Sequence, residues 1–332
     1  MTQQSRTQAD QLTAVPKTTA SFLNIQGDRS SVGSRIVFSI LLVMLFSLVL
    51  STCAEPNDPP DDSVGPEIPS IDDSSSISII TWNIENFPQS GLATTSRVEL
   101  VLDSLDADFY CLQEIKDKDA LYGIVDRLDQ YSVIISDETS FMHLAIVYRH
   151  DSFLPVDTNH VYAYDDYNFA GRPPLWVSFK YEISGEEQVL NLIDVHMKCC
   201  NDGILRRQSA SRMLHTYLNA QISTGDSNFV VPGDWNDDIH DPDSSGASSF
   251  EAFLQDPQNF YFVTDSLSQT RTLKNASYPG YSSLIDNILI SRSLFDEFDP
   301  SGVRVLRLDE VFGDYGTVLS DHRPVLWSFI PN

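Results

Sequence analysis

From Ile77 to the end of the chain, short apolar runs alternate with longer stretches whose apolar residues recur at helical spacing. The runs Ile77–Trp82, Asp108–Leu112, Tyr131–Ile135, Leu144–Tyr148, Leu175–Phe179, Val189–Val195, Phe229–Val231, Ile285–Ile290 and Pro324–Phe329 are rich in β-branched and aromatic residues. Turn formers bound them, which predicts strands. Ser96–Leu105, Ala120–Leu128 and Ile204–Ala220 predict helices; in the last, Leu205, Met213, Leu214, Tyr217 and Leu218 fall broadly on one face. No repeat and no internal low-complexity break divides this stretch. One α/β domain of strands flanked by helices is therefore expected over residues 77–332.

Upstream the pattern is different. Residues 1–34 are polar and aperiodic, then Arg35 precedes the uncharged Ile36–Leu50 and the sequence Leu48-Val49-Leu50-Ser51-Thr52-Cys53. A positive residue, a short apolar core and small residues before a cysteine describe a lipoprotein export signal over residues 1–53, with the Cys53 thiol as the lipid acceptor. Thr52 is bulkier than that position usually allows. The alternatives are an uncleaved anchor, since Ile36–Ala54 just reaches bilayer length, or plain secretion. Residues 54–76 are Pro, Ser and Asp with little apolar content, a linker that cannot bury enough surface to fold. The expectation is an exported cell-envelope protein, tethered to the membrane by an N-terminal lipid or anchor, with its domain outside the cytoplasm.

Composition narrows the partners. The 332 residues carry 47 acidic and 21 basic side chains, a formal charge of −26. Such a field repels polyanions unless a local basic or metal-filled patch overcomes it, which argues against non-specific, high-affinity duplex binding. Lys198, Arg206, Arg207 and Arg212 form the one basic concentration, either a solvated helix face or a rail for a phosphate backbone. The four cysteines, Cys53, Cys111, Cys199 and Cys200, make no disulfide framework, and the adjacent pair can bridge only through a strained ring.

Polar residues gather where the apolar runs stop. Thr81-Trp82 leads into Asn83-Ile84-Glu85-Asn86, and Cys111-Leu112 into Gln113-Glu114. Val195 leads into His196-Met197-Lys198, and Pro232 into Gly233-Asp234-Trp235-Asn236-Asp237. Leu284-Ile285 meets Asp286 inside one run, and Ser320-Asp321-His322-Arg323-Pro324 opens the last. Each segment alone reads as a solvated strand end, a turn or a cap. Their joint occurrence in this order is hard to attribute to accident.

The ordered set TWNIENF, DFYCLQEI, LAIVYR, GRPPL, DVHMK, GDWND, LIDNILIS and SDHRPV resembles the endonuclease/exonuclease/phosphatase family, over about residues 77–330. That family includes pancreatic deoxyribonuclease, apurinic endonucleases, sphingomyelinases and inositol phosphatases. The resemblance implies a four-layer α/β sandwich of two packed, mostly antiparallel sheets flanked by helices. It also implies hydrolysis of phosphoric esters with Mg²⁺ or Mn²⁺, because an anionic diester repels its nucleophile until its charge is offset. By the same resemblance Glu114 is the metal ligand, Glu85 a second carboxylate and Asp321 an additional metal contact. Asn83 lies near metal and phosphate. Asp234 and Asn236 orient the attacking water and hold a phosphoryl oxygen. His322 is general base or transition-state donor, held by Asp286, and His196 is the second histidine. Arg172 is placed to grip the phosphate.

Two departures stand out. Asn287 follows Asp286 where several relatives carry histidine; as a strand neighbour it should face away. Cys199-Cys200 stands where many members have Lys-Ser. An exported, monomeric nuclease is the first expectation. The alternative is a phosphatase or phosphodiesterase for small esters or phospholipid headgroups, and a third reading is a surface-binding module without turnover.

Overall fold

The computed structural model describes residues 67–71, 75–139, 141–240 and 247–332. The export segment 1–53 and most of the linker lie outside these residues. Within the described part of the linker, Ile68 and Ile71 are partly buried against the first hydrophobic cluster, so contact with the domain begins before Ile77. Among the described residues no helix is long and apolar enough to cross a membrane.

Two six-stranded sheets form the centre. In the first, β1 (Ile77–Phe87) and β2 (Phe109–Ile115) run parallel, joined by helix α1 (Leu92–Leu105). β4 (His143–Arg149) and β3 (Tyr131–Ile135) continue antiparallel beyond β2, following the short helix α2 (Lys118–Val125). On the other side β12 (Val325–Phe329) pairs antiparallel with β1, and β11 (Val303–Val305) pairs with β12. The second sheet repeats this plan. β7 (Glu186–His196) and β8 (Phe229–Asp234) are its parallel pair, joined by α3 (Ile204–Thr224). β6 (Leu175–Ile183) and β5 (Leu154–His160) flank β7, while β10 (Asp286–Ser291) and β9 (Phe260–Phe262) flank β8, all antiparallel. Each sheet is thus antiparallel apart from one central β-α-β unit.

Period-two alternation sends the two faces of each strand to different cores. Ile79, Phe109, Cys111, Leu192, Val230, Ile288 and Trp327 belong to the cluster between the sheets. Ile80, Trp82, Tyr110 and Leu112 face outward onto Val98, Val101 and Leu102 of α1. Ile193, Val195, Phe229, Val231 and Trp235 pack under Ala210, Leu214 and Leu218 of α3. The order is helix, sheet, sheet, helix, as the resemblance implied.

The strands missed from sequence are edge strands. β5 contains Pro155 and Asp157 and is largely exposed, and β9 and β11 have only three residues each, too few for a pattern to stand out. Helix α3 departs from the expected face. Leu205 is 74% exposed, while Arg207, Ala210 and Ser211 are buried.

Candidate active site

The inter-sheet faces of the central strands change character along their length. β1 presents Ile77 and Ile79, then Thr81 and Asn83; β2 presents Phe109 and Cys111, then Gln113. β7 presents Leu190 and Leu192, then Asp194 and His196, and β8 passes from Val230 to Asp234. β10 and β12 run antiparallel to β8 and β1, so Asp286 and the residues before Val325 fall at the same edge. The polar ends therefore meet in one cleft of about 810 Å³. Every site residue singled out from the sequence lines it except Asp286, which sits behind His322.

Bulges aim these side chains. The β1–β2 register slips between Asn83 and Phe87, and the β2–β4 register between Leu112 and Ile115. Glu85, Asn86, Glu114 and Asn236 all have positive φ, a conformation that costs about 1–3 kcal/mol at a strained position and survives only where neighbours fix it. Gly233 serves the same end by close approach: a Cβ there would lie 2.2 Å from the Val195 carbonyl oxygen, so only glycine lets β8 reach the end of β7. Trp235 anchors the next turn, its indole N–H donating to the Asn287 carbonyl at 3.1 Å. Asn287 faces outward as expected, accepting from Thr264 Oγ1 at 2.7 Å.

Asn83 ties the two sheets together. Its Nδ2 donates to Glu114 Oε1 at 3.2 Å and to Asp234 Oδ2 at 3.0 Å. Glu114 Oε2 accepts from the Asn86 amide at 2.9 Å. The Asp321 amide donates to Glu85 Oε2 at 3.1 Å. Burial, then Asp321 and Glu114, push the Glu85 carboxyl above its ordinary range. Three hard carboxylates crowd one wall of the cleft, a donor set that suits Mg²⁺ or Mn²⁺. Ligand atoms also converge at Asp234, Asp286 and His322, all within 4.8 Å of one another. There Asp286 Oδ2 and His322 Nδ1 are 2.8 Å apart and occupy each other, which makes them an acid–base pair rather than a metal cage.

Electrostatics separate the two histidines. Burial lowers His196 well below the usual imidazole range, assisted by Arg172, so His196 is neutral. Burial acts the same way on His322, but Asp286 and then Asp234 outweigh it and raise the group to about 10. Asp234 is pushed up to about 7, mainly by burial, with Asp286 adding to the shift. Its Oδ1 accepts the Asn236 amide at 2.9 Å, and Asn236 Nδ2 donates to the Met197 carbonyl at 3.1 Å.

Sequence reasoning missed Asp194 beneath this site. It is fully buried, receives Gln113 Nε2 at 2.7 Å, and burial raises its carboxyl well above the ordinary range. The available signal was an aspartate two residues before His196, on the same face of an otherwise apolar strand.

The rail reading of the basic concentration needs correction, and Arg172 has structural partners beside any ligand. The basic rail dissolves: Arg207 is buried, with Nη2 2.9 Å from Asp237 Oδ2 and Nη1 donating to the carbonyls of Lys198 and Cys200. Arg206 stacks on Tyr167, Arg212 donates to Ser209, and Lys198 faces Asp202. Arg172 is likewise committed, its Nε and Nη2 donating to the His196 and Met197 carbonyls at 3.2 and 2.7 Å. Its Nη1 donates to Met142 Sδ at 3.7 Å, a weak partner on the cleft wall. Arg172 and Arg207 went inside because the end of β7 and the β7–α3 loop leave carbonyls that need donors.

The profile of the Endonuclease/Exonuclease/phosphatase family matches residues 80–322, from β1 to His322. The chain belongs to this family. Among curated proteins it is similar to mouse DNA-(apurinic or apyrimidinic site) endonuclease 2, with 27% identity over 218 residues, which cover 54% of this chain and 42% of that protein. The chain thus spans less than half the length of that relative. Among solved structures it is similar to humanized D. rerio TDP2 (TM-score 0.56, 18% identity, covering 77% of this chain and 99% of that one). The human Nocturnin catalytic domain gives a TM-score of 0.56 at 16% identity, covering 77% and 93%. A Bacteroides thetaiotaomicron member of the endonuclease/exonuclease/phosphatase family gives 0.53 at 17%, covering 77% and 98%. At these identities the structures establish the fold.

Proposed function

We propose that this family member is an exported, monomeric, divalent-metal-dependent phosphodiesterase, with nucleic acid as its first substrate class. The observation that carries the reading is the Asn83 bridge: one amide holds Glu114 and Asp234, from different sheets, beside a His322–Asp286 pair in the same cleft. Glu114, with Glu85 and Asp321, would hold Mg²⁺ or Mn²⁺, which supplies charge neutralisation to the phosphoryl oxygens. Asp234, with an affinity for protons near neutrality, accepts the proton of an attacking water that Asn236 helps to orient. His322 is protonated at neutral pH, so it acts as a hydrogen-bond donor to the charge developing on phosphorus oxygens, and Asp286 fixes its ring. His196, with Nε2 3.4 Å from Asp234 Oδ2, and Arg172 contribute further donors to the cleft.

The mouse relative's name supports DNA as a substrate class, and so does an aromatic pair at the cleft mouth. Tyr278 lies 5.0 Å from the His322 ring and stacks on the exposed Tyr281 with 7° between planes, a surface suited to a base. A second reading, small phosphate esters or phospholipid headgroups, is favoured by the charge of −26 and by the inward turn of Arg207. The uncharged run before Cys53 supports lipid tethering to the cell envelope.

A substrate panel on the full chain separates these readings. Plasmid DNA, a chromogenic nitrophenyl diester and phospholipid vesicles are compared in Mg²⁺, with EDTA and His322→Ala as controls. Hydrolysis of DNA that both controls abolish is expected. Turnover of the small diester or vesicles alone would move the substrate class, and inactivity on all three would refute the enzymatic reading.

A further inference from the structure

Cys199 and Cys200 lie on the wall of the same cleft, on the loop between β7 and α3. Both are exposed, and their sulfur atoms are 2.7 Å apart, with the Cys200 thiol donating to Cys199 Sγ. Lys198 Nζ, 3.6 Å away, donates to the same sulfur, so two donors converge on Cys199 Sγ. The loop holding them is clamped on both sides. Arg207 Nη1 takes the carbonyls of Lys198 and Cys200, at 2.8 and 2.9 Å. Arg172 and Asn236 take that of Met197. Gly203 leaves no room for a side chain, since a Cβ would lie 2.7 Å from the Lys198 carbonyl oxygen.

Within this clamp Cys200 has φ 70° and ψ 168°, a region that glycine alone occupies without strain. The strain sits on the peptide joining two thiols, one bond from the carbonyls that orient Arg207. Through its ion pair with Asp237, Arg207 supports the turn carrying Asn236. A covalent change at the sulfurs therefore acts on the site through named hydrogen bonds.

We propose that Cys199 and Cys200 are a reversible redox pair on the cleft wall, closed to a vicinal disulfide by a low-molecular-weight disulfide, with hydrolysis slowed in the bridged form. The Cys199 thiolate attacks one sulfur of the small disulfide and expels one thiolate, leaving a mixed disulfide on Cys199. Cys200 then attacks Cys199 Sγ and expels the second thiol. The pair loses two electrons and two protons, and the small disulfide gains them as two free thiols. Ring closure between adjacent residues is strained, so the bridge is readily reduced again. The slowing rests on the phosphodiesterase reading; the bridge itself does not.

The reduced full chain is equilibrated with oxidised glutathione, residual thiols are alkylated, and the tryptic peptide 199–206 is weighed. The expected peptide is unalkylated, free of glutathione and about 2 Da lighter than the dithiol form. Hydrolysis falls at least about fivefold, the lower end of ordinary coupling between sites, and returns with dithiothreitol. In Cys199→Ser the ratio of oxidised to reduced rate is one. A persistent glutathione adduct on either cysteine, or complete bridging with an unchanged rate, overturns the proposal. A reduced chain inactive on every ester would overturn the phosphodiesterase reading, and the peptide mass still decides whether the bridge closes.

Discussion

His322 Nδ1 and Asp286 Oδ2 face each other at 2.8 Å, Asp286 at the start of β10 and His322 in the bend before β12 of the other sheet, both side chains buried. This pairing sets the protonation of the site. Below about 7 Asp234 carries a proton and cannot accept one from water, and above about 10 His322 loses the proton it donates. Activity is expected to rise with pH through the first value and fall through the second, a bell whose acid limb moves lower when a divalent cation saturates the site. Asp286→Asn removes the charge that raises His322. Its alkaline limb should shift to lower pH, with kcat reduced roughly 10²- to 10⁴-fold. Steady-state rates from pH 5 to 11 check this, and an unmoved alkaline limb would sink the assignment.

Asn83 stands between two carboxylates, so an added charge there is informative. Asn83→Asp replaces a donor to both Glu114 and Asp234 with a third carboxylate. Like charges at hydrogen-bond distance repel only when ionised, so the damage should grow with pH. Thermal unfolding is expected to show a larger loss at pH 8 than at pH 5. Asn83→Ala, which leaves acceptors unpaired without adding charge, should cost about 1–3 kcal/mol with less pH dependence.

Glu114 and Asp234 share a hydrogen-bond partner but should fail differently. Glu114→Ala is expected to raise the Mg²⁺ or Mn²⁺ concentration needed for half-maximal rate, and excess metal should restore part of the activity. Asp234→Asn keeps the shape and removes the proton acceptor, so added metal should not rescue it. A chelator should abolish hydrolysis in both and in the parent. Metal titrations of the three proteins decide the matter; equal rescue of both variants would undo the division of roles.

Much of this was legible in the sequence because apolar runs end abruptly in polar residues. The runs located the central strands, and their ends gave Asn83, Glu114, His196, Asp234 and His322, which meet in one cleft. What stayed hidden had no local signature. Edge strands such as Leu154–His160 bury too little to alternate. Arg207 looked like surface because its partners, the Lys198 and Cys200 carbonyls, appear only once the β7–α3 loop is folded. Asp194 is concealed for a related reason: its partner Gln113 lies 81 residues away.

The inward turn of Arg207 yields a prediction that separates a clamp from a rail. A phosphate-binding arginine contributes to affinity and to its salt dependence, and its loss lowers the salt slope by about one charge. A clamp contributes to folding instead. Arg207 is buried, holds Asp237 at 2.9 Å and donates to two carbonyls, so Arg207→Ala removes a donor from all three, leaving Ser249 Oγ on Asp237 and the Gly203 amide on the Cys200 carbonyl. The expected cost is about 3 kcal/mol in urea unfolding, at the low end for a broken buried pair because Asp237 is partly exposed. Arg206→Ala removes a guanidinium stacked 4.3 Å above the Tyr167 ring and should cost under about 1 kcal/mol. Neither variant should alter the salt slope of KM for DNA. A slope lowered in Arg206→Ala without loss of stability would restore the rail and turn this helix face toward the substrate.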